Sequence, residues 1–241
     1  MTKKNLDRMF FPATRLLRKK WYENILLLSL FWSWNYWLEI QWQSDYDMIA
    51  VVIPTLNQLI RREAVSEEIE FPNNLWHIDV KDAYTFFQKI TSLNYLETIL
   101  TNNKVIDYEV FKIKEFIRTE VIPNQTEAIK AKIISSFNAY KKQVQFEKDE
   151  GKKNKMLSHI FRLYILYKEF EKTWRLDFEL KWENKEKALK IKLGKEQLNT
   201  DNLVLPSTKD LDFSKDNKEV LKELEEKVVS MLIKKIKLDF Q

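Results

Sequence analysis

The chain has 241 residues, 44% of them hydrophobic, a net charge of +5, no cysteine, and only two glycines, Gly151 and Gly194. Without cysteine there are no disulfides, thiolate zinc sites or thiol nucleophiles. With two isolated glycines, neither the dinucleotide fingerprint nor a P-loop can be built, because both need backbone amides brought close to a phosphate.

Residues 1–20 carry seven basic groups and one acidic group, and Pro12 predicts a helix start running through Leu16, Leu17 and Trp21. No cleavage pattern of a secretory leader follows, so the expected location is cytoplasmic, or virion-associated for a phage product. Residues 21–60 hold four acids, no base and five of the eight tryptophans: Trp21, Trp32, Trp34, Trp37 and Trp42. The uncharged run from Asn24 to Leu38 would span about 22 Å as a helix, short of the roughly 30 Å of a bilayer core. A membrane anchor over 21–43 is therefore a third reading, behind a buried Trp-rich core. From Trp32 to Gln43 apolar and polar residues alternate as in a strand, and a buried helix is the competing assignment.

Ser44 and Asp47 have capping-box spacing and predict a helix over Ile49, Val52, Ile53, Leu56, Leu59 and Ile60, kinked at Pro54. A further helix is expected from about Asp79 to Leu100. Trp42, Asp45-Tyr46-Asp47, Val51, Leu56, Leu59 and Arg62, followed by Asp82, Phe86, Phe87, Ile90 and Tyr95, form a pattern over about residues 40–97 that resembles short phage-encoded helical proteins of unknown function. The resemblance implies helices after Ser44 and a phage or mobile-element origin, and no activity.

Three more helices are expected: Tyr108 to Val121, Thr126 to about Phe146, and Lys155 to about Arg175. Beyond them LDFELKWE and ALKIKL alternate about an NKEK turn, which predicts a β-hairpin over 176–193. A loop through Pro206 and an amphipathic helix from Lys218 to Lys237 complete the chain. The expected fold is mainly α, six or seven helices around the Trp-rich segment with a small antiparallel hairpin near the C-terminus. Residues 1–175 would form a helical domain, with 176–241 packed on it.

Candidate chemistry is sparse. Asp177, Glu179 and Lys181 on the expected hairpin have the order of a metal-dependent nuclease strand, a carboxylate ligand beside a lysine, and are also what the solvent side of any charged hairpin supplies. His77 with Asp79 and Asp82 could form a hydrolase or metal cluster, against the simpler reading of a packing or capping role. His159 has no cysteine or other histidine at metal-ligand spacing and reads as structural. Lys130, Lys132, Lys141, Lys142, Lys148, Lys152, Lys153 and Lys155, interleaved with Tyr140 and Phe146, could contact nucleic acid phosphates. No cofactor is expected. The favoured function is a non-enzymatic binding or assembly protein acting on another protein through a helical surface, with nucleic-acid binding second.

Overall fold

The computed structural model describes residues 3–20, 22, 24–30, 46–55, 58, 61, 66–70, 76–101 and 103–238. The chain divides into two compact units. Residues 1–35, 39–118 and 221–241 make the first, and residues 36–38 with 119–220 make the second. The alternating stretch Trp32 to Gln43, with Trp21, lies outside the described residues.

Unit 1 is built on a sheet, which overturns the expectation of a helical domain over residues 1–175 with its β-structure in a C-terminal hairpin. Among the described residues it has five strands: β1 (Ile25–Leu30), β2 (Tyr46–Val52), β3 (Ser66–Glu70), β4 (Trp76–Asp82) and β5 (Asn103–Val105), in the order β3-β4-β2-β1-β5. β2 and β4 run parallel, with Asp47 beside His77 and Ile49 beside Asp79, and the other pairs are antiparallel. Met48 to Val52 are all buried, as both faces of a central strand require. A continuous apolar run rich in β-branched residues and closed by Pro54 is how such a strand reads. The helix expected from Asp47 fails for Ile49 and Val52, which lie on this strand, while Ser44, Leu56, Leu59 and Ile60 of that reading lie outside the described residues.

Helix α1 (Lys3–Lys19) covers one side of the sheet. Its Phe10, Ala13 and Leu17 pack with Leu28, Met48, Ala50, Val52, Ile78 and Val80. Pro12 lies inside this helix rather than at its start, where it leaves the Arg8 carbonyl without its usual donor. Helices α2 (Ala83–Thr91) and α3 (Leu96–Leu100) contact β4, β2 and β1, and Ser29 Oγ on β1 donates to the Thr98 carbonyl of α3 at 2.9 Å. The one helix expected from Asp79 to Leu100 is thus a strand and two helices. Asp82 ends β4 and caps α2, accepting from Thr85 N at 2.7 Å. Between the two helices Leu93 and Tyr95 both take left-handed φ of 57°, a conformation costly for branched and bulky side chains. Stacking of Tyr95 on Phe86 at 5.8 Å helps to hold it there.

Helix α4 (Tyr108–Phe116) follows β5 and runs on through a π-helical turn, Ile117–Val121, to Pro123. Its Lys114 is buried, with Nζ donating to Asn103 Oδ1 at 3.0 Å. Burial first, and the Arg118 charge second, pull the Lys114 pKa down from 10.5 to about 8, against an opposing effect of Glu115. Between those values the unfolded chain binds more protons than the folded one, so this group makes stability rise with pH across the window and penalises the fold below it. The expected rise, discounted for water that still reaches the ammonium, is about 1–2 kcal/mol. Urea denaturation at pH 7.5 and pH 10 should show it as a difference between the wild type and Lys114→Met, in which the contribution disappears.

Unit 2 is helical, with α5 (Thr126–Val144), α6 (Glu150–Thr173) and α7 (Trp182–Lys192). Phe137, Val144 and Ile160 form the buried centre between α5 and α6, and Ser158 Oγ of α6 donates to the Ala188 carbonyl of α7 at 3.0 Å. The expected hairpin over 176–193 is not formed. Its second half is α7, where Ala188 and Ile191 are buried one turn apart and the Glu and Lys around them favour helix. The alternation of Phe178, Leu180 and Trp182 belongs to a loop leading into it.

The start of α5 has no side-chain cap of its own at Gln125. Asp216, far along the chain, supplies it, accepting from Glu127 N at 3.0 Å and Ala128 N at 2.8 Å. A charged cap on two orphan amides predicts a loss of about 1–2 kcal/mol for Asp216→Ala, to be read as a shift of the urea midpoint. Asp216→Asn should recover part of it.

The last helix, α8 (Glu219–Leu238), buries Leu224, Val228 and Met231. Lys227 lies over the Phe116 ring at 4.7 Å, and Lys235 pairs with Asp107 beside the start of α4. Among the described residues no helix is long and apolar enough to cross a membrane, and the Ile25–Leu30 part of the proposed anchor is a strand.

Candidate functional site

The sheet register gathers polar groups on the face turned towards α2 and α3. Successive strand residues point to opposite faces, so Asp47 on β2 shares this face with His77, Asp79 and Lys81 on β4 and with Glu68 and Glu70 on β3. Over β1 and β2 the same face is apolar and closed, with Leu27, Ile49 and Val51 buried. Over β4 and β3 it opens: the side chains of Asp47, His77, Asp79 and Lys81 keep between 28% and 37% of their exposure. The polar group therefore sits at the rim where the covered part of the sheet ends.

The contacts are specific. His77 Nδ1 lies 2.9 Å from Asp47 Oδ1 across the parallel pair, and Nε2 lies 3.7 Å from Glu68 Oε1 on the other side. Lys81 Nζ pairs with Asp79 Oδ1 at 2.8 Å. On the opposite face Glu67 accepts from Lys20 and from the Tyr22 hydroxyl, each at 2.7 Å. These bonds, that from Lys20 foremost, hold the Glu67 carboxyl below its usual range. Burial together with the Glu67 carboxylate pushes Tyr22 up to about 12. That second group locks α1 to the β3 edge.

Of the three residues considered at 77–82, the structure brings His77 and Asp79 onto one face and turns Asp82 away to cap α2. Asp47, which sequence spacing assigned to a helix cap, is the residue that completes the group. The apolar run that follows it was the available signal. Asp45, two positions earlier, lies outside the described residues.

Asp177, Glu179 and Lys181 line one cavity of about 220 Å³ in unit 2, together with the buried Arg162, below the size of an ordinary ligand pocket. The Asp177 and Lys181 side chains are committed locally. Asp177 Oδ1 accepts from Glu179 N at 3.0 Å, and Lys181 binds both oxygens of Glu169 at 2.9 Å. His159 stacks on Tyr140 at 5.2 Å, and burial, then Arg162 and Lys192, hold it neutral well below the usual histidine range.

Of the lysines of 130–155, three have local partners and five are exposed. Lys130 is buried, pairs with Glu127 at 2.8 Å and lies over the Trp174 ring at 4.7 Å. Lys141 donates to the Thr200 carbonyl at 2.8 Å, and Lys153 faces Glu150 at 3.6 Å. Lys132, Lys142, Lys148, Lys152 and Lys155 are exposed along α5, the 145–149 bend and α6.

No protein-family model matches this chain, and no curated protein matches it. Among solved structures, a nucleotidyltransferase-like protein from Exiguobacterium sibiricum 255-15 is similar at 12% identity, over 91% of this chain and 74% of that one, with a TM-score of 0.32. A likeness at that score carries no argument about fold or chemistry.

Proposed function

We propose that the open rim of the sheet is a divalent-cation-dependent site for phosphoryl transfer, nucleotidyl transfer included. The observation that supports this most is the presence of one carboxylate on each of two neighbouring parallel strands, Asp47 and Asp79, on the same half-exposed face. Magnesium is commonly held by one or two carboxylates, with substrate phosphate oxygens and water filling its other positions. It then neutralises charge on the phosphate and on the leaving oxygen. Among the described residues no group of three or more His, Asp or Glu side chains is placed to hold a metal ion by itself, so two carboxylates with phosphate and water is the arrangement proposed for this face. Lys81, beside Asp79, is placed to meet a phosphate oxygen once a cation takes its carboxylate. His77, 2.9 Å from Asp47 on the same face, is the group placed to act as a base for an attacking hydroxyl.

The test is to incubate the intact chain with nucleoside triphosphates labelled at the α or the γ phosphate, with Mg²⁺ or Mn²⁺, and to follow label into product or protein. Metal-dependent transfer that Asp79→Asn abolishes supports the reading. Absence of turnover with either label and either metal counts against it.

A further inference from the structure

We propose that the outward face of α8 is a self-association surface, on which a second copy of this chain packs its own α8 antiparallel. The helix is apolar on two sides. Leu224, Val228 and Met231 are buried, while Val229 and Ile233, one turn apart on another face, keep 46% and 47% of their exposure. They line an open groove with Glu226, Ser230 and Lys234. Exposed branched aliphatics at this spacing form the seam that helix pairs use.

Charge identifies the occupant. Residues 219–226 carry four acids and one base, and residues 227–238 carry four bases and no acid. A parallel neighbour would set like charges together, whereas an antiparallel copy sets acidic half against basic half twice over. With the two-fold axis near Ser230, Glu226 of one copy meets Lys234 of the other, and Val229 and Ile233 of both close over the axis. This is the isologous contact that two-fold symmetry requires. Lys234 can turn towards it, since its contact with Glu109 is long, 3.8 Å, and its side chain is 61% exposed. Other bases have local partners: Lys227 pairs with Glu223 at 3.3 Å and Lys235 with Asp107.

A helix of this length spans about 30 Å, and one such pair buries less than the roughly 800 Å² per partner of a standard interface. Reversible dimerisation with Kd on the order of 10 µM is therefore expected.

The experiment is sedimentation equilibrium of the full chain from about 1 to 200 µM, a range set around that expected Kd, with four variants. Ile233→Glu and Glu226→Lys should each weaken the dimer at least tenfold, and Glu226→Lys combined with Lys234→Glu should restore it, which a merely structural defect would not do. Because the chain has no cysteine, Ser230→Cys supplies a single thiol near the axis and should give an oxidised covalent dimer. A chain that stays monomeric throughout overturns the proposal. So does a dimer that survives Ile233→Glu and Glu226→Lys unchanged, since it would form through another surface.

Discussion

Replacing Phe87 by Ala is expected to lower the stability of unit 1 by about 3–5 kcal/mol. Phe87 is fully buried on α2, with its ring edge-on to Phe86 at 5.3 Å. Deleting it removes apolar burial and leaves a cavity that the surrounding sheet and helices can only partly refill. Against a total stability of about 5–15 kcal/mol for a typical domain, such a loss brings the unit near unfolding. Urea denaturation should show the midpoint falling steeply, while Tyr84→Ala, at a side chain 60% exposed on the same helix, should move it by no more than about 0.5 kcal/mol. A Phe87→Ala change as mild as the Tyr84→Ala control would mean that α2 does not pack on this sheet.

The second large effect is chemical. Asp47→Asn keeps the shape of the side chain and its reach to His77, and removes the charge that a cation would need. If the rim is the transfer site, the rate should fall by at least about 100-fold with little change in stability. Asp82→Asn provides the contrast, because that carboxylate caps α2 and faces away from the rim. It should cost up to about 1 kcal/mol of stability and leave the rate within a few-fold. Loss of rate in Asp82→Asn but not in Asp47→Asn would place the chemistry elsewhere.

The sequence was most legible where side chains follow one period without competition. Residues 108–121, 126–146, 155–175 and 218–237 read as helices, and each holds one, with α6 beginning five residues earlier than expected because Asp149 caps it, accepting from Lys152 N at 2.7 Å. In unit 1 the sequence pattern departs from the fold for a physical reason. Met48 to Ile53 is buried on both faces of a central strand, so it shows no alternation, and a short continuous apolar run fits a buried helix equally well. His77 to Val80 does alternate, but Asp82, Phe86, Phe87 and Ile90 pulled the helix start forward by four residues. At 176–193 the error ran the other way. The alternation in Phe178, Leu180 and Trp182 is real but too short to form a strand without a neighbour, and Ala188 and Ile191 at helical spacing decide the second half. The candidate site was half legible: His77 and Asp79 stood out, while Asp47 meets them only through parallel pairing of β2 with β4, a contact that no local pattern encodes.

The most direct measurement is a calorimetric titration of Mn²⁺ into the intact chain at pH 7.5. Saturable binding is expected, lost in both Asp47→Asn and Asp79→Asn and kept in Asp177→Asn, whose carboxylate belongs to unit 2. Heat that never saturates, or saturable binding that Asp47→Asn and Asp79→Asn leave unchanged, would contradict a cation site on the rim of the sheet.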